Sequence, residues 1–400
     1  MKSLEVSRSL TITATGEDNI PGELLKYSPK EMHEYVATMI NEMFRTHEPL
    51  KINNGNMKAL LKPGKPKGPR KNLRTVTLLN TIRKAISLCT LHRAREKIEK
   101  YLSVNQSGFR PFRSTADIVW THRWYAAKTS LAEIDIHITG IDMSSAFDTI
   151  NRKLLLEILE DIVDEDELRL IRFLLSDTEI SIKIIGVTEE MPFLGNVGTP
   201  QGDSLSPVLF IVYLEAALRE IRNIENNEEG PPTEIAYADD VDFISLIKHK
   251  DIKKVSEILK KFNLLVNNDK TEYTTLSRKK SKQEEEWRKV KKVGSLLGDE
   301  EDIERRKQLA TVAMNKLQLI WIKNQVNQKT KMKLYRALVK SILLYNCSTW
   351  GVTQSIEQKL DAFHRRQLRR VLNIKYPTKI SNKKLCKKKQ KQKKSYSQAQ

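Results

Sequence analysis

The chain has 400 residues, 39% of them hydrophobic, with 70 Lys and Arg against 50 Asp and Glu. That length holds two or three domains or subdomains, and that apolar content excludes a disordered chain. The formal net charge of +20 points to a polyanionic partner, nucleic acid first, with solubility charge as the plainer reading. Cys89, Cys347 and Cys386 lie far apart with no CxxC pair, which argues against a disulfide framework or a zinc knuckle and fits a reducing compartment. The N-terminus shows no basic-then-apolar pattern, and no apolar run is long enough to span a bilayer.

In chain order, Gly16-Glu17-Asp18-Asn19-Ile20-Pro21 is turn chemistry. Met32, Tyr35, Val36, Met39, Ile40 and Met43 recur at helical spacing, which predicts a helix with these residues in the core. Ala59-Leu60-Leu61 runs into a basic loop, Lys62-Pro63-Gly64-Lys65-Pro66-Lys67-Gly68-Pro69-Arg70-Lys71, with Arg74 opening an extended segment. Such a loop suits a triphosphate, whose charge cations offset and guanidinium binds bidentately; a solvated linker is the other reading. Residues 81–101 predict one helix with Arg93, Arg95, Lys97 and Lys100 exposed. Asn105-Gln106-Ser107-Gly108-Phe109-Arg110-Pro111-Phe112-Arg113-Ser114-Thr115 is a polar, basic loop.

A strand is predicted to end at Asp142, within Ile138–Asp148. Asp148 is placed to cap the next helix, whose Leu154, Leu155, Ile158, Leu159 and Ile162 form an apolar face. Residues 179–194 predict a hairpin, and Gly198–Pro207 leads into an apolar helix over Val208–Leu218. Ile235–Ile244 has apolar flanks around two adjacent carboxylates and predicts a hairpin with Ala238, Asp239 and Asp240 at its tip. Like charges side by side are unfavourable unless cations hold them, and hard divalent cations such as Mg²⁺ prefer oxygen ligands. An acidic surface turn is the plainer reading. Val255, Ile258, Leu259 and Phe262 form a helix face, and residues 278–292, dense in both charge signs, are expected to be exposed. From Glu300 onward the pattern is helical. Tyr335, Leu338, Val339, Ile342 and Leu343 form one stripe; Leu360, Phe363, Leu368, Val371 and Leu372 form another, with Arg365, Arg366, Arg369 and Arg370 alongside. Beyond Tyr376 the tail is Lys-rich, expected to be disordered and suited to RNA binding or nuclear localisation.

Tyr237-Ala238-Asp239-Asp240 resembles the motif C box of reverse transcriptases, in the form with alanine second that looks like that of the non-LTR (LINE-type) retroelements. The resemblance continues in the family's order across most of the chain. Gly16–Pro21 resembles the Gly-x-Asp-x-Ile-Pro opening of the fingers, with Asn19 in the usual glycine place. Asn105–Thr115 resembles the Gln-x-Gly-Phe-Arg-x-x-Arg-Ser-Thr box, with Phe112 where glycine is common. Ile138–Asp148 resembles motif A, Gly198–Pro207 motif B and Asn267–Glu272 motif D. Val293–Gly298 resembles motif E, the primer grip, without the aromatic that usually precedes its leucine. Leu344–Trp350 and Arg365–Arg370 resemble the region that follows in non-LTR elements.

This resemblance implies an α+β fold, a right-hand polymerase with fingers, an antiparallel-sheet palm and a helical thumb. The implied division is an N-terminal segment and fingers over 1–135, a palm with motifs A to E over 136–298, a thumb or connection over 299–376 and the basic tail over 377–400. It implies an RNA-directed DNA polymerase, a nucleotidyltransferase adding dNTPs to a primer 3′-hydroxyl on an RNA template. Asp142, Asp239 and Asp240 are the implied ligands of two Mg²⁺ ions, roughly 3.5–4 Å apart in such sites, with Mn²⁺ as an alternative. Lys270 is implied to protonate the leaving pyrophosphate, and Arg74 with Lys62 or Lys65 to contact the phosphates. Phe147 would pack under the sugar and exclude a 2′-hydroxyl, ordinary core packing being the other reading. Gln201 and Gly202 would shape the nucleotide pocket. Arg110 and Arg113 would contact the template or primer backbone, and Arg365, Arg366, Arg369 and Arg370 the duplex backbone.

The implied partners are an RNA template, a DNA primer and dNTPs, with no membrane, in an intracellular nuclear or cytoplasmic ribonucleoprotein. No apurinic-type endonuclease segment or CCHC knuckle is seen, so the expectation is the polymerase part of a longer element or a truncated copy, with an endonuclease as a further domain or a protein in trans. Two rivals stand beside this. One is a group II intron-type reverse transcriptase/maturase, which a separate maturase region and an HNH-type His/Cys cluster would support; neither is seen. The other is an inactive retroelement relic that only binds nucleic acid.

Overall fold

The computed structural model describes residues 15–46, 52, 54–62, 64–69, 72–144, 146–176, 178–182, 191–225, 233–246, 252–277 and 285–374, with 377–378, 380–382 and 385 beyond them. Most of the Lys-rich tail, most of the charged stretch before residue 285, and Arg70 and Lys71 of the basic loop lie outside the described residues. The class is α+β, and the chain forms two compact units: residues 1–114 with 137–273, and residues 115–136 with 274–400.

Among the described residues the first unit carries two larger sheets. In one, strand β1 (Gly55–Leu61) pairs antiparallel with β2 (Leu73–Leu79) and parallel with β5 (Thr178–Ile182), and β5 pairs antiparallel with β6 (Met191–Gly195). The basic loop is thus the connection of a hairpin, and the 178–195 hairpin falls within a residue of its expected place. In the other sheet, β8 (Asp240–Ser245) runs antiparallel between β3 (Ile136–Ile141) and β7 (Thr233–Tyr237). The two-residue strand β4 (Met143–Ser144) pairs with β9 (Leu265–Val266). The chain passes to the second unit within β10 (Glu272–Leu276).

The helix Ser206–Glu225 organises the core of this unit. Phe210, Ile211, Val212, Tyr213, Leu214 and Ala217 are each no more than 1% exposed. A helix apolar on every side is stable only when surrounded, and helices Thr81–Tyr101, Arg152–Glu160, Glu165–Leu174 and Ile252–Lys261 contribute Ile86, Ile98, Leu155, Leu159, Ile171 and Leu259 to the same core. Two expectations are corrected. Helix Lys30–Thr46 forms, but Met32 and Tyr35 are 41% and 68% exposed, so its apolar spacing does not mark a core stripe; Ile40 packs on the core from one side. Asp148 does not cap the following helix: the Asn151 side chain accepts from the Lys153 and Leu154 amides, being in reach of N2 and N3 where Asp148 is not.

The second unit is mostly helical. Helices Asp299–Lys316, Gln328–Tyr335 and Gln354–Val371, with the helical segments Arg336–Lys340 and Ser341–Leu343, bury Ala310, Met314, Met332, Tyr335, Val339, Leu343, Phe363, Leu368 and Val371 in a separate core. Both predicted stripes therefore contribute, although Leu338 is 44% exposed. A short hairpin, β11 (Lys291–Lys292) with β12 (Ser295–Leu296), precedes them. Within the described part of 278–292, exposure is not uniform: Lys292 is buried, and Arg288 is tied to Glu301 at 2.9 Å.

Candidate active site

The hairpin between β7 and β8 sets the site. Tyr237 pairs with Asp240, leaving Ala238 and Asp239 as the two turn residues, and Ala238 takes φ 59°, outside the region an alanine prefers. The pairing of β3 with β8 ends at Ile141 with Val241, which brings Asp142 level with Asp240 one step further along. Two neighbouring strands thus deliver all three carboxylates to one end of the sheet. Asp239 is half-buried, and burial pushes its carboxyl above the usual range. A hydrogen bond from its own backbone amide opposes that rise, the charge of Asp142 adds to it, and the charge of Arg74 opposes it. The field of Asp142 and of Arg74 at Asp239 shows that both stand within electrostatic reach.

Lys270 follows the turn after β9. Its Nζ lies 2.9 Å from Asp142 Oδ2, and the Asn267 amide donates to the Asp142 carbonyl at 2.8 Å. The motif D segment is therefore fastened to motif A by one main-chain bond and one ion pair. Lys62, Lys65 and Arg74 are exposed on the β1–β2 hairpin. Gln201 donates from Nε2 to Asp148 Oδ1 at 3.1 Å, and its carbonyl accepts from the Thr77 amide at 2.7 Å. Gly202 lies at φ 126°, and a Cβ there would stand 2.4 Å from the Thr77 carbonyl oxygen, so only glycine allows this loop to lie on β2. The Phe147 ring stacks on Phe210 at 4.4 Å and meets the edge of Phe109 at 6.2 Å. It is half-buried at the margin of the core.

The arginines divide. Arg113 is exposed. Arg110 is 8% exposed in its side chain and bonds Glu99, the Ser103 carbonyl and the Gln106 carbonyl, so its guanidinium braces the loop from inside. In the second unit Arg365 pairs with Asp361, Arg369 bonds Asn382, and Arg370 bonds Asn315 and Gln367, whereas Arg366 is exposed.

Sequence reasoning missed three supports. Gln106, 2% exposed, binds the Ala238 peptide from both sides. Arg83, fully buried, holds Asp203 at 3.2 Å and the Leu174 carbonyl at 2.8 Å, anchoring the motif B loop. Arg123 donates to the Leu296 and Leu297 carbonyls and pairs with Asp299 and Asp302, fixing the motif E segment. Gln106 lay within a quoted motif; nothing in spacing or composition marked Arg83 or Arg123.

Paired sheet carboxylates, a lysine beside one of them and a glycine-bearing loop laid against the neighbouring sheet form the candidate site. Residues 62–302, more than half of the chain, match the profile of the reverse transcriptase (RNA-dependent DNA polymerase) family, and the chain belongs to that family. It is 23% identical over 239 residues to the RNA-directed DNA polymerase from mobile element jockey of Drosophila funebris, covering 59% of this chain and 26% of that protein. The chain spans about a quarter of the length of that curated relative. Among solved structures, apo telomerase from Candida tropicalis truncated from its C-terminal domain is similar at TM-score 0.45 and 16% identity, over 66% of this chain and 58% of that one. Telomerase from Candida albicans in complex with a fragment of telomeric RNA gives TM-score 0.44 and 12% identity, over 87% of this chain and 63% of that one.

Polymerases of this family generally use divalent metal ions. Carboxylate oxygens are the right donors, and the mutual repulsion of Asp142 and Asp239 is of the kind a cation relieves. Among the described residues, no three His, Cys, Asp or Glu side chains converge closely enough to hold an ion by themselves. Among the described residues no helix is long and apolar enough to cross a membrane.

Proposed function

We propose that the chain is the polymerase part of a non-LTR retroelement protein, copying RNA into DNA from a primer 3′-hydroxyl and dNTPs. The observation that carries this is the strand register that brings Asp142 level with the Asp239–Asp240 turn. Asp142, Asp239 and Asp240 would hold two Mg²⁺ ions, which when bound activate the 3′-hydroxyl and steady the triphosphate leaving group. The chain's own groups supply position and charge. Arg74, Lys62 and Lys65 offset the triphosphate charge. Lys270, exposed and paired with Asp142, would donate a proton to the leaving pyrophosphate. Gln201 and Gly202 form the floor under the nucleotide, and Phe147 limits the space beside its sugar. Arg113 and Arg366 meet nucleic-acid backbone. Residues to about 135 would serve as fingers, 136–298 as palm and 299–376 as thumb, working in a nuclear or cytoplasmic ribonucleoprotein with an endonuclease supplied elsewhere.

The test is primer extension on an RNA template by Asp239→Asn, with hybrid binding measured on the same protein. Extension is expected to fall about 10³-fold or more, as loss of several kcal/mol of charge stabilisation requires, with binding within about twofold of wild type. Near-normal extension would remove Asp239 from the site.

A further inference from the structure

We propose that Gln106 is a positioning residue for the carboxylate hairpin: its neutral side-chain amide fixes the Ala238 peptide and so sets where Asp239 and Asp240 point. This rests on the reading of the site as metal-binding. Ala238 has a backbone disfavoured for any residue with a Cβ, and the turn it forms carries two adjacent carboxylates that repel each other. Left alone, such a turn would relax.

The hold on it is specific. Gln106 Oε1 accepts from the Ala238 amide at 2.9 Å and from the Gly108 amide at 2.7 Å, while Nε2 donates to the Ala238 carbonyl at 3.3 Å. One side chain thus clasps both sides of the residue immediately before Asp239. The main chain on either side is pinned as well: the Ala236 amide donates to the Asn105 carbonyl at 3.0 Å, and the Ser107 amide to the Ala236 carbonyl at 2.8 Å. Gly108 lies so close that a Cβ there would stand 2.2 Å from the Ala238 nitrogen. Behind Gln106, its own carbonyl accepts from Arg110, which is anchored on Glu99.

The chemistry suits the place. A primary amide both donates and accepts without charge. Lysine or arginine there would compete with cations for Asp239 and Asp240, and a carboxylate would add to their repulsion. Glutamine is the long, neutral side chain that can complete the Ala238 pair.

The test uses Mn²⁺ as the probe. The full chain is prepared as wild type, Asp239→Asn, Gln106→Met and Arg110→Met. Mn²⁺ binding is titrated by electron paramagnetic resonance, and extension is measured across a Mg²⁺ series. Gln106→Met is close in volume and is expected to bind RNA–DNA hybrid as wild type does. It is expected to bind Mn²⁺ about tenfold more weakly, as loss of an orienting hydrogen bond near a metal site typically does. Its half-maximal Mg²⁺ should rise in step, with kcat lowered and the KM for dNTP nearly unchanged. Arg110→Met, which loosens only the brace behind Gln106, should shift both readouts the same way by less, about two- to threefold. Wild-type Mn²⁺ binding by Gln106→Met, with Asp239→Asn deficient, overturns this proposal alone. Should Gln106→Met not fold, unchanged readouts in Arg110→Met overturn it. Equal Mn²⁺ binding by wild type and Asp239→Asn overturns the metal-binding reading itself, and this proposal with it.

Discussion

The hairpin tip at Ala238 in the first unit and the turn at Val293–Gly294 in the second both leave the ordinary backbone regions, with φ of 59° at Ala238 and 44° and 83° at Val293 and Gly294. They are held by opposite means. Ala238 is clasped by the neutral amide of Gln106. The second turn sits in a charged lattice: Arg305 and Arg306 donate to the Gly294 carbonyl, Tyr345 donates to the Val293 carbonyl at 3.0 Å, and Asp302, fully buried, accepts from the Leu296 amide and Trp350 Nε1 and pairs with Arg123 and Arg306. The difference follows from what each turn displays. Beside Asp239 and Asp240 a charged holder would perturb the very groups proposed to bind cations. No acid sits on the Val293 turn, and a β-branched residue in the left-handed region needs a stronger hold.

The sharpest way to break that comparison is by stability. Asp302→Ala removes the common acceptor of the second turn and leaves Arg123 and Arg306 short of a partner; a loss of about 3–5 kcal/mol is expected from a broken buried ion pair. Gln106→Met should cost only about 1–3 kcal/mol, the price of unpaired neutral groups. Urea midpoints measure both, and equal losses would abolish the distinction. The first unit also supplies an internal control. Asp203→Ala takes the carboxylate partner from the fully buried Arg83 and should cost about 3–5 kcal/mol, whereas Arg83→Met with Asp203→Leu should recover much of that loss. Charge is thus used in this unit too, but as an anchor for the motif B loop rather than as a clasp on the carboxylate turn.

A smaller effect sharpens the contrast through specificity. On the proposed reading Phe147 acts by shape, so Phe147→Val should raise ribonucleotide over deoxynucleotide incorporation by about tenfold, within the 1–3 kcal/mol that a hydrophobic pocket discriminates. Its stacking on Phe210 predicts a loss of about 1–2 kcal/mol in stability as well. The incorporation ratio should be indifferent to salt. A ratio that stays at the wild-type value would leave Phe147 as packing alone.

Much of this was legible in the sequence, because local signals carry local structure. The carboxylate hairpin, the helix at 81–101 and the apolar helix after Pro207 follow from periodicity and turn residues, and the motif order pointed to Asp142 and Lys270, which the fold brings together. The holders were not legible, since their partners are remote: Gln106 meets Ala238 across 132 residues, and Arg83 meets Asp203 across 120. Arg110 shows the same limit from the other side. An arginine in a basic loop reads as a phosphate contact until Glu99 is seen beside it. Phe112, in a place where glycine is common, has φ 59°, which accounts for that preference and leaves the departure unexplained by any packing, since its ring is fully exposed.

The last contrast lies within the second unit. The Arg365–Arg370 cluster suggested a backbone grip whose loss would flatten the salt dependence of hybrid binding by roughly one to two units. With Arg370 bonded to Asn315 at 2.8 Å and to Gln367, Arg366, which is exposed, is the less tethered member of that pair. The Arg366→Ala, Arg370→Ala double variant should therefore flatten the slope by at most about one unit. A stronger candidate is helix Gln328–Tyr335 and the turn that follows it. Between Arg305 and Ile356 the sequence has no Asp or Glu, against ten Lys and Arg. Lys333 and Arg336, both exposed, fall three apart and so share a helix face. Each neutralised phosphate contributes a slope of about −0.7 to −0.9, so Lys333→Ala with Arg336→Ala should flatten it by about one to two units, equally for unrelated hybrid sequences. Binding titrations of both double variants over a salt series decide between the helices: a larger change in the Arg366, Arg370 pair would return the grip to the 354–371 helix, and no change in either would take phosphate contact away from both.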